Sequence, residues 1–320
     1  MTSGVAKSRS ASVGCGEGGP FDLGDDTAYR AWRARKLSVY PIRGEELVVD
    51  VADGHLLSAR EQSALIERCR KMNMAIYRLR GAATADKDLI RALGRQLGLC
   101  RLDGNLCADH DSVSAIRAMP IDGHQEYIPY TNRRLNWHTD GYYNLPGAQI
   151  RAVLMHCVSD AASGGENALM DHEMVYLLMR DENPDYVAAL MEPDAMTIPA
   201  NVENGTELRA AQTGPVFSVD ARTGNLHMRY TARTRSILWK NDAGTRAAAD
   251  FLQNLFYDGS PYVIRHRLNP GEGIVCNNVL HCRTAFMDGA ARDRRRLLYR
   301  ARYYDRISGT DLGDFLSGGP

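Results

Sequence analysis

The chain has 320 residues, and its 39 lysines and arginines balance 39 aspartates and glutamates to a formal net charge of zero. That balance gives no bulk electrostatic case for nucleic acid or an anionic membrane as partner. No apolar run approaches the roughly 18 residues of a membrane span, and the N-terminus lacks the apolar core of a signal peptide, so a soluble, cytoplasmic protein is expected.

Residues 1–20 are rich in Gly, Ser and Ala without periodicity and read as a disordered leader. Residues 21–320 are expected to form one domain, since β-barrel enzymes often use this many residues as a single unit. Folded structure is expected to start between Asp22 and Tyr40. Ser58-Ala-Arg-Glu61 is a capping box that opens a helix through about Met72, with Ala64, Leu65, Cys69 and Met72 on one face. Ala75 to Leu79 reads as a strand ending at Gly81, and Leu89, Ile90, Leu93 and Leu97 form the stripe of a second helix. The apolar, β-leaning run Ile150 to Val158 suits a buried strand. His172 to Arg180 is helical until Asn183-Pro184 interrupts it. Thr245 to Tyr257 reads as a further helix, and Tyr262 to Leu268 as a strand closed by the turn Asn269-Pro-Gly-Glu272. Helices first and then short strands with helical insertions point to an α+β chain, a double-stranded β-helix (jelly roll) flanked by helices. The seven cysteines are odd in number and contain no Cys-x-x-Cys pair, which argues against a disulfide framework and against structural zinc.

Chemistry concentrates in Arg134-Leu-Asn-Trp-His-Thr-Asp-Gly-Tyr-Tyr143. His138 and Asp140 are two residues apart, and on an extended strand they would share a face and aim at one point. With a third ligand they would make the two-His, one-carboxylate triad that leaves coordination positions open on Fe(II). His281, in Val279-Leu-His-Cys-Arg-Thr-Ala-Phe286, would supply it. His124-Gln-Glu126 has the same spacing and is the rival pair. The other histidines, His55, His110, His156, His172, His227 and His266, show no convergent partner and read as surface or hydrogen-bonded core residues.

Beyond His281, Arg294-Arg-Arg-Leu-Leu-Tyr-Arg-Ala-Arg-Tyr-Tyr304 alternates with period two. Arg296, Leu298, Arg300 and Arg302 share one strand face, and Leu297, Tyr299, Ala301 and Tyr303 the other. A buried face of three guanidiniums needs anionic partners, for which Arg offers a bidentate clamp; a solvent-facing basic stripe is the alternative. Tyr127, Tyr130, Trp137, Tyr142 and Tyr143 bracket the His-x-Asp motif as a cation cage or stacking wall, or as core packing.

From about Tyr127 to Tyr304 the chain resembles the Fe(II)- and 2-oxoglutarate-dependent dioxygenases of the taurine dioxygenase type (TauD/TfdA), including the γ-butyrobetaine and trimethyllysine hydroxylase branch. The motifs that carry the resemblance are Tyr130-Thr-Asn, Trp137-His-Thr-Asp-Gly-Tyr, Pro146-Gly, His156-Cys-Val, Gly164-Gly-Glu-Asn-Ala-Leu-Met-Asp171, Gly214-Pro-Val, Asn269-Pro-Gly-Glu-Gly and the His281 segment. The resemblance implies His138, Asp140 and His281 as metal ligands, Arg296 as the arginine on the far carboxylate of 2-oxoglutarate, and Arg300 as one that meets an anionic group of the substrate. Tyr142 and Tyr143 would line the substrate site. Two positions depart from the pattern. Asn167 stands where a hydroxyl residue usually binds the cosubstrate, and its amide can still donate; Cys282 replaces the usual Gly after the distal His. The intact Asp140 argues against halogenation.

The implied function is hydroxylation of an unactivated C–H bond of a small polar metabolite, with Fe(II), 2-oxoglutarate and O2 consumed or held, and succinate and CO2 released. The arginines suggest an anionic substrate group and the aromatics a cationic one, so an amino-acid or betaine-like molecule is expected. The same site would also serve desaturation, cyclisation, oxidative cleavage or loss of a leaving group after hydroxylation, and a non-catalytic jelly-roll binding protein is the remaining alternative. Assembly into a homo-oligomer stays open.

Overall fold

The computed structural model describes residues 18–40, 43–80, 86–104, 112–118, 128–203, 205–233, 237–257, 259–290 and 295–318. The rival pair His124-Gln-Glu126, together with Tyr127 and most of the N-terminal leader, lies outside them.

Local sequence sets the helices. Asp25 caps helix Asp26–Val39 by accepting from the Ala28 N–H at 3.0 Å, and Tyr29, Trp32 and Lys36, at three- and four-residue steps, form its buried side. The capping box at Ser58 and Glu61 is present in both directions and opens helix Ala59–Met72. That helix ends on Asn73, whose φ of 57° is the left-handed conformation of a C-cap. Asp86 caps helix Lys87–Gln96, which buries Leu89, Ile90 and Leu93. Asn183 ends helix His172–Glu182 and caps helix Pro184–Met191, where the missing N–H of Pro184 at the first position costs nothing.

Two sheets enclose the site. The first has six strands in the order Val48–Val51, Met74–Leu79, Glu272–Cys276, Ala152–Ser159, Leu297–Tyr303 and Val113–Ile116. The second has four, in the order Ile264–His266, Asn167–Met170, Leu280–Arg283 and Leu135–His138. Alternation sorts their side chains into separate cores. From the six-stranded sheet, Ala75, Tyr77, Leu154, Val275, Tyr299, Ala301 and Tyr303 pack against Leu65, Cys69, Ile90 and Leu93 of the two helices behind it. Their neighbours Met74, Ile76, Val153, Met155, Ile274 and Leu298 face inward and meet Leu169 and Ile264 of the second sheet and Val279, which precedes its strand Leu280–Arg283. On the far side of that second sheet, Trp137, Ala168, Met170, Leu280 and Cys282 join the helical core around Trp32, Tyr176 and Leu252. Consequently His138, Asn167, His281, Arg296, Arg300 and Arg302 alternate with outward-facing residues and point between the sheets. Gly273 is required by close approach, since a Cβ there would lie 2.2 Å from the Tyr77 ring and 2.3 Å from the Met155 carbonyl.

The predicted strand at 150–158 is Ala152–Ser159, and the one at 262–268 shrinks to Ile264–His266. A larger departure is the His138 strand, which stops at His138. Asp140 therefore lies in the following turn, and the i, i+2 strand argument does not explain its position. Between Met196 and Trp239 the chain forms short antiparallel ribbons: Met196–Ile198 with Gln212–Gly214 and Leu238–Trp239, Asn201–Glu203 with Thr206–Arg209, and Phe217–Val219 with Leu226–Met228. Among the described residues no helix is long and apolar enough to cross a membrane.

Candidate metal centre

His138 and His281 are direct antiparallel partners across two neighbouring strands, with ring centroids 4.2 Å apart. Asp140 reaches them from the turn. Gly141, at φ 67°, turns the chain where a Cβ would strike Ile150 at 2.4 Å. Asn278 brackets the turn: its Oδ1 accepts from the Asp140 N–H at 2.8 Å, and its Nδ2 donates to the Asp140 carbonyl at 3.0 Å and to the Ile150 carbonyl at 2.7 Å. One ligand atom from each of His138, Asp140 and His281 lies within 4.8 Å of the others, all three residues being buried.

Hydrogen bonds fix the protonation pattern. Nδ1 of His138 lies 2.8 Å from the Asn136 carbonyl, and Nδ1 of His281 lies 3.0 Å from the Val279 carbonyl. A carbonyl only accepts, so each Nδ1 carries the proton and each Nε2 keeps its lone pair for a metal. Burial, reinforced by His281, pushes His138 down to about 3, so it is a neutral ligand at neutral pH. Burial acts to raise Asp140, but the Arg300 guanidinium, followed by His281 and Arg302, outweighs it and holds the carboxyl below its ordinary range. Arg300 Nη1 donates to Asp140 Oδ1 at 3.0 Å, while buried Oδ2 has no hydrogen-bond partner. Two imidazole nitrogens and a carboxylate thus converge, a donor set that suits Fe(II).

A second recess lies along the inner faces. Asn167 and Arg296 line it with Cys157, Gly164, Gly165 and Leu298. Arg296 is 6% exposed, its Nη1 has no hydrogen-bond partner, and burial lowers it to about 10. Its guanidinium lies 5.1 Å from the centre of the Phe286 ring. A buried cation with an orphaned donor is costly unless an anion completes it, and the far carboxylate of 2-oxoglutarate fits that requirement. Asn167 spends one amide proton on the His266 carbonyl at 3.5 Å.

The other arginines singled out in the sequence have protein partners. Arg300, expected to meet the substrate, grips Asp140 through Nη1 and keeps a buried Nε without a hydrogen-bond partner. Arg302 pairs with Asp103 and donates to the Tyr143 hydroxyl at 2.9 Å, and Arg283 is spent on the carbonyls of Thr131, Arg133 and Thr284. Two guanidiniums approach the Tyr143 ring, Arg209 at 5.6 Å and Arg302 at 5.9 Å from its centre. Tyr142 packs edge-on against Tyr143 at 5.1 Å.

Sequence reasoning missed the wall beside the metal centre. Thr231 forms a bridge opposite His138, and the Ala232 N–H donates to the Trp137 carbonyl at 2.7 Å. Half-buried Arg229 donates to the carbonyls of Pro215, Gln212, Gly214, Met196 and Tyr142. No spacing signal could place residues 229–233 beside His138, because the pairing spans some ninety positions.

A jelly roll with two imidazoles and a carboxylate converging between its sheets defines the class of mononuclear non-haem iron oxygenases. Residues 38–302 match the family model "Taurine catabolism dioxygenase TauD, TfdA family". The chain belongs to this family and is an Fe(II)- and 2-oxoglutarate-dependent oxygenase. Two similar curated proteins are uridine-5'-phosphate dioxygenases. The one from Amycolatopsis sp is 34% identical over 196 residues, 59% of this chain and 67% of that protein. The one from Streptomyces sp is 27% identical over 205 residues, 61% and 71% respectively. Among solved structures, asparagine oxygenase in complex with Fe(II), hydroxyasparagine and succinate aligns with a TM-score of 0.57 at 17% identity, covering 78% of this chain and 81% of that one. The non-haem iron oxygenase OrfP in complex with Fe and alpha-ketoglutaric acid aligns with a TM-score of 0.56 at 16% identity, covering 77% and 80%. At such identities these structures establish the fold.

Proposed function

We propose that His138, Asp140 and His281 hold the iron, that Arg296 and Asn167 hold the far carboxylate of 2-oxoglutarate, and that the substrate is a small phosphorylated nucleoside of the uridine 5'-phosphate type. The iron and its cosubstrate supply the oxidising chemistry when bound. The chain's own residues do the rest. Asn278 and Arg300 orient Asp140, backbone carbonyls at Asn136 and Val279 hold both imidazoles in the metal-binding tautomer, and the inward apolar layer around Leu169 and Val279 excludes water.

The observation that carries the substrate reading is the charge of the wall. Arg229 donates to the Tyr142 carbonyl and Arg209 lies over the Tyr143 ring, and among the described residues neither has a carboxylate partner. In a chain of zero net charge this local excess selects an anion, and it opposes the cationic head of a betaine. The likeness to two uridine-5'-phosphate dioxygenases points the same way.

The test is a panel of nucleoside 5'-monophosphates, nucleosides, amino acids and betaines, read as substrate-triggered succinate under Fe(II), 2-oxoglutarate and O2. Uridine 5'-phosphate or a close analogue is expected to trigger it. Response to amino acids or betaines alone would restore the substrate class expected from the sequence. Inorganic phosphate and oxidised product, followed in the same samples, separate simple hydroxylation from hydroxylation with loss of a leaving group.

A further inference from the structure

Resting on the reading of Arg296 as the cation for the far carboxylate of 2-oxoglutarate, we propose that Arg267 is a second cation for that carboxylate, and that Asp160, which holds it, sets how strongly the recess prefers a dicarboxylic 2-oxo acid.

The first argument is position. Arg267, Asp160 and Ala161 line the same recess as Arg296 and Asn167. The two arginines reach it from different sheets: Arg296 directly precedes strand Leu297–Tyr303, and Arg267 directly follows strand Ile264–His266. His266 is the register partner of Asn167, so the chain leaves that strand beside the Asn167 amide and carries Arg267 into the recess wall.

The second argument is how Arg267 is held. Its Nη2 donates to Asp160 Oδ2 at 2.9 Å and to the Ala161 carbonyl at 2.6 Å. Among the described residues no hydrogen bond engages its Nε or Nη1. A guanidinium anchored at one nitrogen keeps the remaining donors of its planar fork for a carboxylate. The Arg267 side chain is 37% exposed, so solvent screens its charge and it adds to buried Arg296 rather than replacing it.

The third argument is what the far carboxylate needs. An ionised carboxylate has about four acceptor positions. Arg296 offers its unpartnered Nη1, and Asn167 has already given one amide hydrogen to the His266 carbonyl. Arg267 supplies further donors. Asp160 acts in the opposite sense, since a second carboxylate in the same recess repels an incoming anion; its pairing with Arg267 tempers that repulsion.

The experiment is anaerobic calorimetry on the Fe(II)-loaded enzyme with 2-oxoglutarate and with 2-oxopentanoate, which keeps the chain length and the chelating 2-oxo acid but lacks the far carboxylate. It needs neither the organic substrate nor turnover. Arg267→Gln should weaken 2-oxoglutarate roughly 2- to 5-fold, the range of a partly exposed ion pair, with 2-oxopentanoate unchanged, and Arg267→Lys should recover part of the loss. Asp160→Asn should tighten 2-oxoglutarate roughly 2- to 5-fold, a gain that a damaged fold cannot produce. Equal losses for both acids, a parental preference for 2-oxoglutarate in Arg267→Gln, or no gain in Asp160→Asn overturns the proposal. Arg296→Met separates it from the reading beneath it. If that variant loses the preference while Arg267→Gln keeps it, Arg296 stands and Arg267 falls; if Arg296→Met keeps the preference, the recess is not the cosubstrate site and both fall.

Discussion

Arg300 donates to Oδ1 of Asp140 at 3.0 Å, and Oδ2 of the same carboxylate is buried without a hydrogen-bond partner. Oδ1 also lies 3.9 Å from His138 Nε2, so the guanidinium holds the carboxylate beside the imidazole nitrogen. The pair also spares the metal-free fold a buried, unpaired carboxylate, and breaking such a pair costs about 3–5 kcal/mol.

Arg300→Ala should therefore destabilise the metal-free protein strongly and be rescued in part by divalent metal, which replaces the lost positive charge beside Asp140. Melting curves with and without Fe(II) or Co(II) check this: the metal-induced rise in Tm should be larger in the variant than in the parent. Equal rises would mean that Arg300 does not support the carboxylate.

Arg296 should behave in the opposite sense. Its buried, partly unsatisfied guanidinium is a liability until a ligand anion arrives. Arg296→Met should raise the melting temperature of the ligand-free protein while weakening 2-oxoglutarate by on the order of 2 to 5 kcal/mol and leaving iron affinity unchanged. A destabilised variant with normal 2-oxoglutarate affinity would assign Arg296 to the fold.

A pH dependence follows from His156, fully buried with Nε2 unsatisfied and Tyr77 Oη 3.0 Å from Nδ1. Burial lowers its pKa from 6.5 to about 4. The unfolded chain binds the proton first, so the stability tied to neutral His156 is fully present above about 6.5 and is lost as pH falls towards 4. The loss is roughly 3 kcal/mol. Urea midpoints at pH 7 and pH 4.5 should converge on the parent's disadvantage: His156→Phe, which retains a ring against Tyr77, loses less stability on acidification. Parallel losses would show that His156 does not set this slope.

Much of this was legible in the sequence because the signals were local. The Ser58 capping box, the Leu89–Leu93 stripe and the alternation from Leu297 to Tyr303 each depend on residues within a few positions. The distal His281 was reachable through its flanking motif. Asp140 was assigned its place for the wrong reason: the strand ends at His138, and a glycine turn and Asn278, far along the chain, deliver the carboxylate. The partner of Arg300 was not legible, because alternation reveals a face but not the Asp140 carboxylate waiting there. Thr231 carried no signal, since its place opposite His138 comes from a backbone bridge between segments with no common motif.

The central claim is that His138, Asp140 and His281 form one iron site. Iron content of anaerobically reconstituted protein, compared between the parent and His281→Ala, tests it most directly. We expect one Fe(II) per chain in the parent and almost none in the variant, because removing one arm of a three-arm chelate leaves too weak a site. Full iron occupancy with retained succinate formation in His281→Ala would contradict it.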